Sequence, residues 1–187
     1  MRVQHYDDAI DVSGPSVFLA GPTTPAGYAM SWRRDAVTSL ESHAGGRSLT
    51  VVVPEFRTRA FDDAAEERFG PRSEPSRVPG MSRCSHAILE WETAGIEGAT
   101  LVVFWMPFQL RGPRDADSLP GFTTRAELAR ELARASHRLV LGMPPGTLSS
   151  SHLRYHAHAA KLHIHATLDD TIAEAVRRLW PGDLTTD

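Results

Sequence analysis

Cysteine is nearly absent from this chain, and long basic or apolar runs are absent too. The single thiol, Cys84, excludes a disulfide framework and a metal site built from several thiolates. The net charge is −3 and no run of lysine and arginine stands out, so nucleic acid or an anionic membrane would be only weakly attracted. No apolar stretch is long enough to span a bilayer. We therefore expect neither a nucleic-acid partner nor a membrane partner.

The start of the chain and its overall size predict a cytoplasmic globular protein. Residues 1–8 are polar and lack the apolar segment of a secretory signal peptide, and one cysteine suits a reducing compartment. Apolar residues make up 41% and charged residues 23%, values typical of soluble globular proteins. A chain of 187 residues is long enough for one domain with a sizeable core. We predict a single domain over residues 1–187, with its core at about 16–180.

Short apolar segments alternate with stretches of helical periodicity. The predicted strands are 16–20, 49–53, 101–105, 138–142 and 162–165. The predicted helices run from Ser31 to about 43, from Ser82 or Ser85 to 98, from Thr123 or Thr124 to 136, from 152 to 161, and from a cap at Asp169 or Asp170 to 180. Continuous apolar strands between helices favour a parallel sheet covered on both faces. The sequence thus predicts a doubly wound α/β domain.

Two long polar connections interrupt this alternation, at 57–81 and 106–121. Loops of this length are uncommon in a compact domain unless they are functional or disordered. Each follows a predicted strand and should leave from the carboxyl edge of the sheet. We expect them to form a lid or a pocket wall.

Glu127 stands near the start of the helix that follows the strand 101–105. In open parallel sheets, ligands bind at the carboxyl ends of the strands, so a carboxylate there can face a substrate. A simpler explanation is also available. Thr124 and Glu127 have the spacing of a capping box, in which the glutamate returns to the backbone N–H of the cap residue. Local sequence leaves both interpretations open.

Glu92 lies on an apolar helix face between Ile88 and Ile96, with which it shares the i, i+4, i+8 spacing. An acid on such a face is costly unless it is paired, hydrogen-bonded or open to a pocket. A structural ion pair and a functional carboxylate therefore both remain possible for this residue.

Five histidines between His152 and His165 raise the question of a metal site. His152 and His156 are spaced i, i+4 on a possible helix, and neutral imidazole is a common metal ligand. No acidic third ligand stands at a characteristic spacing. We interpret these histidines as surface or sheet-edge residues and predict no metal.

An ordered set of short motifs resembles the nucleoside 2-deoxyribosyltransferase-like family. The resemblance covers about residues 16–145 and runs through Val17–Pro22, Trp32–Arg34, Val53–Glu55, Trp91–Ile96, Phe104–Trp105 and Thr123–Ala129. It implies a flavodoxin-like, three-layer α/β/α fold with a sheet of about five strands. It also implies that Glu127 attacks the anomeric carbon of the sugar, and that Glu92 helps to organise the substrate and the nucleophile. The chain departs from the family at Gly121, where the family has an aspartate.

The resemblance leads to an expected activity, which is N-glycosyl transfer between nucleosides. An oxocarbenium-like sugar forms as the C1′–N bond breaks, and an ionised carboxylate can stabilise it or bond to it. Hydrolysis of nucleosides or nucleotides, and a nucleotide-binding module without catalysis, remain as alternatives. The expected substrate contacts are Gly21, Pro22, Trp91, Phe122 and Thr124. The expected partner is a nucleoside or nucleotide, no cofactor is implied, and the resemblance implies a homo-oligomer.

Overall fold

The computed structural model describes residues 1–22, 31–57, 61–106, 122–147 and 150–182, without the side chains of 61–63 and 122. The strands are β1 Arg2–Gln4, β2 Ser16–Ala20, β3 Thr50–Val52, β4 Leu101–Trp105, β5 Leu139–Gly142 and β6 Ile164–His165. The helices are α1 Trp32–Ala44, α2 Phe61–Phe69, α3 Arg83–Gly98, α4 Phe122–Ala135, α5 Ser151–Ala159 and α6 Leu168–Leu179, with a 3-10 turn at Ser136–Arg138.

The strands form one parallel sheet in the order β1-β3-β2-β4-β5-β6, flanked by helices. In register, Val17 pairs with Val51 and Val103 pairs with Val140. From β2 the chain goes to β3 on one side and later to β4 on the other, which is the reversal of strand order found in flavodoxin-like sheets. The predicted three-layer α/β/α class is confirmed.

Two elements were not predicted from the sequence. β1 adds a sixth strand, and its polar sequence buries only Gln4, so it carries little of the apolar signal used to recognise a strand. α2 lies inside the connection predicted as a long loop, which is wrong for residues 61–69. Its described buried residues are Ala64 and Ala65, too small to make a clear apolar stripe. Of the other predicted loop, residues 107–121 lie outside the described part of the chain.

Backbone contacts divide the chain into two compact units. Unit 1 comprises residues 1–18 and 48–100, and in it α2 packs on α3. The Ser82 side chain caps α3 by accepting from the backbone N–H of Ser85, as one of the two predicted caps. Gly95 of α3 lies against Phe18, where a β-carbon would come 2.7 Å from the ring. Close packing of helix on strand therefore requires glycine at this position.

Unit 2 comprises residues 19–47 and 101–187, of which the described parts include β4 to β6. α6 packs on β4, β5 and α1, while α4 packs on α5 and β5. α6 is capped by Thr167, whose side chain accepts from the Asp170 N–H at 3.1 Å. The predicted aspartate cap is wrong because both aspartates already lie in the first helical turn, where their charge suits the helix dipole.

Candidate functional site

Glu127 lies in the second turn of α4, not at its cap. The helix begins at Phe122, so Thr124 is its third residue and Glu127 its sixth. A capping box needs its hydroxyl at the residue before the first helical one. The capping-box interpretation is therefore wrong. Glu127 therefore gains little stabilisation of its charge from the helix dipole, because that effect fades beyond the first turn.

The buried side of α4 carries an unusual number of polar groups. Thr124 is 3% exposed and Glu131 is 1% exposed, and Glu127 is half-buried between them at i+3 and i−4 spacing. The Glu131 carboxylate accepts from Arg130 Nε at 2.9 Å and lies 3.7 Å from Arg138 Nη2. Burial of a carboxylate requires such partners. A helix that holds acids on its packed side differs from an ordinary amphipathic surface helix.

The end of β2 is held tightly to neighbouring parts of unit 2. At Gly21 a β-carbon would lie 2.5 Å from the Trp105 carbonyl oxygen at the end of β4, and 2.6 Å from the Trp32 ring. Trp32 Nε1 donates to the Pro22 carbonyl at 3.2 Å. The ends of β2 and β4 therefore meet at one edge, where the strand order predicts a ligand crevice. Packing against protein already accounts for glycine at position 21.

Arg33 is a buried residue of this edge and was not among the predicted site residues. It is 2% exposed, its Nε donates to the Leu19 carbonyl at 3.1 Å, and its Nη2 donates to the Gly21 carbonyl. The guanidinium thus holds the backbone on which Gly21 and Pro22 sit. A signal was available in the sequence. Arg33 shares one helix face with the apolar Ala36 and Leu40, at i+3 and i+7.

The end of β5 is braced by a second set of side chain to backbone bonds. Thr147 Oγ1 donates to the Met106 carbonyl at 3.2 Å and lies 2.9 Å from the Pro144 carbonyl. Arg154 of α5 donates to Pro144 O and to Ser150 Oγ, both at 3.1 Å. These bonds hold the segment after β5 in one conformation. Local bracing of this kind is what a preorganised site needs.

In unit 1, Glu92 is half-buried and accepts a hydrogen bond from the hydroxyl of Tyr6 on its Oε1. Tyr6 follows β1 and is 2% exposed. Tyr6 is thus a neutral donor to Glu92 from the other end of the unit's sequence. Local sequence carries no signal for this contact, because 86 residues separate Tyr6 from Glu92.

Trp91, next to Glu92, is packed rather than open. It is 8% exposed, its Nε1 donates to the Asp8 carbonyl at 3.0 Å, and its ring centroid lies 4.8 Å from that of Tyr6. These contacts agree with a role in packing and use the polar edge of the indole. The predicted base contact of Trp91 stays a prediction. Phe122 begins α4, but its side chain lies outside the described residues.

Two histidines have perturbed titration. Burial lowers the pKa of His5, against the opposing effect of a hydrogen bond to the Glu55 carbonyl. Burial also lowers the pKa of His165 in unit 2, and the neighbouring His163 lowers it further. Both imidazoles therefore favour the neutral form in the folded protein.

The histidine-rich end of unit 2 forms an open groove of about 560 Å³ between β6 and α6. It is lined by His163, His165, Asp170 and Glu174, among others, and by none of the residues predicted to bind substrate. Within the described ranges, no group of three or more histidine, cysteine or acidic side chains is arranged to hold a metal ion. None of the described helices has the length and apolarity needed to cross a membrane.

The chain matches no protein-family model, and no curated protein is significantly similar to it.

Proposed function

We propose that this protein transfers the sugar of a nucleoside or deoxynucleoside from one base to another, with Glu127 as the nucleophile. One observation carries the proposal. Glu127 is a half-buried acid on the packed side of α4, the helix that follows β4, and it does not act as a helix cap. The motif resemblance described above supports the same role.

The scaffold around the strand ends supports a fixed crevice. Arg33 and Trp32 hold the backbone at Gly21 and Pro22, and Arg154 holds the segment after β5. A nucleophile gains most from such an arrangement when the reacting carbon is held in line with it. The parallel sheet offers this edge as the binding face.

The proposed reaction has two displacement steps. A carboxylate oxygen of Glu127 attacks C1′, and the C1′–N bond breaks with its electron pair leaving on the base, which takes up a proton. A ring nitrogen of the incoming base then attacks C1′. The bond between C1′ and the glutamate oxygen breaks, the carboxylate is regenerated, and the incoming base loses its proton. Two inversions at C1′ retain the configuration of the sugar.

Glu92 is the second acid of the proposal. Its carboxylate would orient the substrate or stabilise positive charge on the sugar as the C1′–N bond breaks. The required ionised form is consistent with the hydrogen bond that it accepts from Tyr6.

The test is a chromatographic assay of base release and base exchange. Nucleosides, 2′-deoxynucleosides, their 5′-monophosphates and NAD are incubated with the protein, with and without a second base. Wild type should exchange bases, and Glu127→Gln should reduce the rate by at least about 1,000-fold. Glu41→Gln, an exposed glutamate on α1 of the same unit, is the matched control and should behave as wild type.

The same assay separates the alternatives. Free base released without an acceptor, and lost in Glu127→Gln, would assign a hydrolase with the same nucleophile. No turnover of any substrate by a folded wild-type protein would refute the proposed chemistry and favour a binding module.

We further infer that the protein works in a reducing cytoplasm, because Cys84 is its one cysteine, and that it is a homo-oligomer, on the basis of the motif resemblance. Light scattering on the full chain tests the oligomeric state, and a monomer at assay concentration would contradict it.

A further inference from the structure

Tyr6 is held on every side by unit 1. Its ring lies 5.1 Å from Phe56, 5.6 Å from Phe69 and 4.8 Å from Trp91, measured between centroids. Its backbone N–H donates to the Glu55 carbonyl at 3.1 Å, and its own carbonyl accepts from Arg68 Nε at 3.1 Å. A buried phenol fixed in this way has little freedom to turn its hydroxyl away.

The Tyr6 hydroxyl acts on the charge state of the carboxylate to which it donates. A phenol donates one hydrogen, and it donates to Oε1 of Glu92. A bond donated to a carboxylate favours the ionised form of that carboxylate and fixes its rotamer. The bond is therefore suited to an acid that acts as a charged acceptor. It would oppose a role in which Glu92 gives up a proton as a general acid.

The segment that supplies Tyr6 directly follows β1, which is an edge strand of the sheet. Tyr6 follows β1, and β1 pairs with β3 in register, with Gln4 opposite Val52. The motif resemblance begins only at about residue 16. β1 thus carries a buried tyrosine to an acid of the predicted site, which gives this strand a purpose beyond extending the sheet.

We propose that Tyr6 is a positioning residue that holds Glu92 as an ionised, correctly oriented carboxylate during the sugar transfer. This inference rests on the proposed function. It adds that the role of Glu92 is electrostatic, and that the N-terminal strand β1 serves the site through Tyr6.

The first test uses Tyr6→Phe, which removes one oxygen and keeps the ring. We expect kcat for base exchange to fall about 10-fold with little change in KM, and the acidic limb of the kcat profile to move to higher pH. Tyr155→Phe is the matched control, because Tyr155 is 72% exposed on α5, and it should leave both unchanged. The double variant Tyr6→Phe/Glu92→Gln should be no slower than Glu92→Gln alone, because the two residues act as one unit.

The second test does not depend on activity. In protein labelled with ¹³C at the glutamate carboxyl, the Glu92 signal is assigned by its loss in Glu92→Gln. Tyr6→Phe should move its titration midpoint upward by about 1 pH unit, which equals a 10-fold change in proton affinity. Thermal unfolding shows whether the variant is folded.

The two failures can be told apart. An active wild type whose Glu127→Gln variant is inactive, but whose kcat profile and Glu92 titration are unchanged in Tyr6→Phe, would overturn the role of Tyr6 and leave the transfer proposal standing. An inactive wild type would refute the proposed function. In that case a shifted Glu92 titration would still establish the electrostatic effect of Tyr6, and an unshifted one would refute it as well.

Discussion

The two compact units each contain one of the two candidate acids, and they hold them by different means. In unit 1, Glu92 is engaged by Tyr6, which lies within an aromatic cluster formed with Phe56, Phe69 and Trp91. In unit 2, Glu127 lies along one helix between the buried polar residues Thr124 and Glu131. The first arrangement joins distant parts of the sequence, whereas the second follows from the register of a single helix.

This difference indicates how each acid depends on its surroundings. A change at a distant residue, Tyr6, should alter the behaviour of Glu92. The position of Glu127 should depend chiefly on where α4 begins and on how it packs against α5 and β5.

Removing each carboxylate should separate the two roles most strongly. Glu127→Gln should lower the exchange rate by at least about 1,000-fold because the nucleophile is lost, whereas Glu92→Gln should lower it about 100-fold because electrostatic stabilisation is lost. Glu97→Gln, exposed on the same helix as Glu92, is the control. Steady-state kinetics measure all three. Equal losses in the first two variants would contradict the assignment of different roles.

Overpacking each unit should test whether the chain unfolds as one domain. In unit 2, a β-carbon on Gly142 would lie 2.2 Å from Thr171 Oγ1 and 2.4 Å from the Trp105 ring. In unit 1, a β-carbon on Gly95 would lie 2.7 Å from the Phe18 ring. We expect Gly142→Ala and Gly95→Ala each to lower the free energy of unfolding, by about 3 and about 2 kcal/mol respectively.

Urea denaturation followed by fluorescence and circular dichroism measures these losses. If the chain is a single domain, each variant should show one unfolding transition, shifted to lower urea concentration by both probes alike. Gly182→Ala serves as the control, because that glycine has open space around it and no left-handed backbone. Two transitions, each affected by only one variant, would contradict the single-domain prediction.

Arg33 tests the bracing of unit 2. In Arg33→Met the carbonyls of Leu19 and Gly21 lose a charged donor, which should cost about 2 kcal/mol of stability. Arg34→Met changes an exposed neighbour and should cost much less. The free energy of unfolding from urea titration provides the comparison. Similar losses in both variants would mean that the buried guanidinium does not hold the β2 end.

The smallest expected effect is a dependence of stability on pH near neutrality. The folded-state pKa of His165 is lowered, chiefly by burial. Below about pH 6.5 this histidine therefore binds a proton more readily in the unfolded chain than in the folded one. Stability should therefore fall as the pH drops from about 7 through 6.5 towards the lower folded pKa. Above that window both states are neutral at this residue, and it has no effect.

Thermal unfolding between pH 7.5 and 5.5 measures this dependence. Wild type should lose Tm as the pH falls over this range, and His165→Asn should lose less. The difference between the two losses should be less than about 4 °C. His158→Asn, exposed on α5, should retain the wild-type dependence. In unit 1, burial also lowers the pKa of His5. Some dependence of stability on pH should therefore remain in both variants. An unchanged slope in His165→Asn would show that its folded and unfolded proton affinities are equal.

Some parts of this protein were accessible from local pattern alone. β2 and β4 have the predicted bounds, and Ser31 caps α1 as predicted, because apolar runs and hydroxyl caps act over a few residues. β1 and α2 were not predicted, because a prediction of this kind needs a signal within a few residues. Neither buries enough apolar side chain to leave a periodic signal, so each depends on pairing or packing with distant segments.

The sequence by itself determined the α/β class, most of the element order and the presence of two acids in unusual positions. Only the tertiary structure decided how those positions are supported. It excluded the capping box at Glu127 through the starting point of α4, brought Tyr6 to Glu92, and buried Arg33 against the end of β2. Periodicity reflects burial along one element, whereas these contacts join groups 86 and 14 residues apart, whose meeting depends on the packing of the whole sheet.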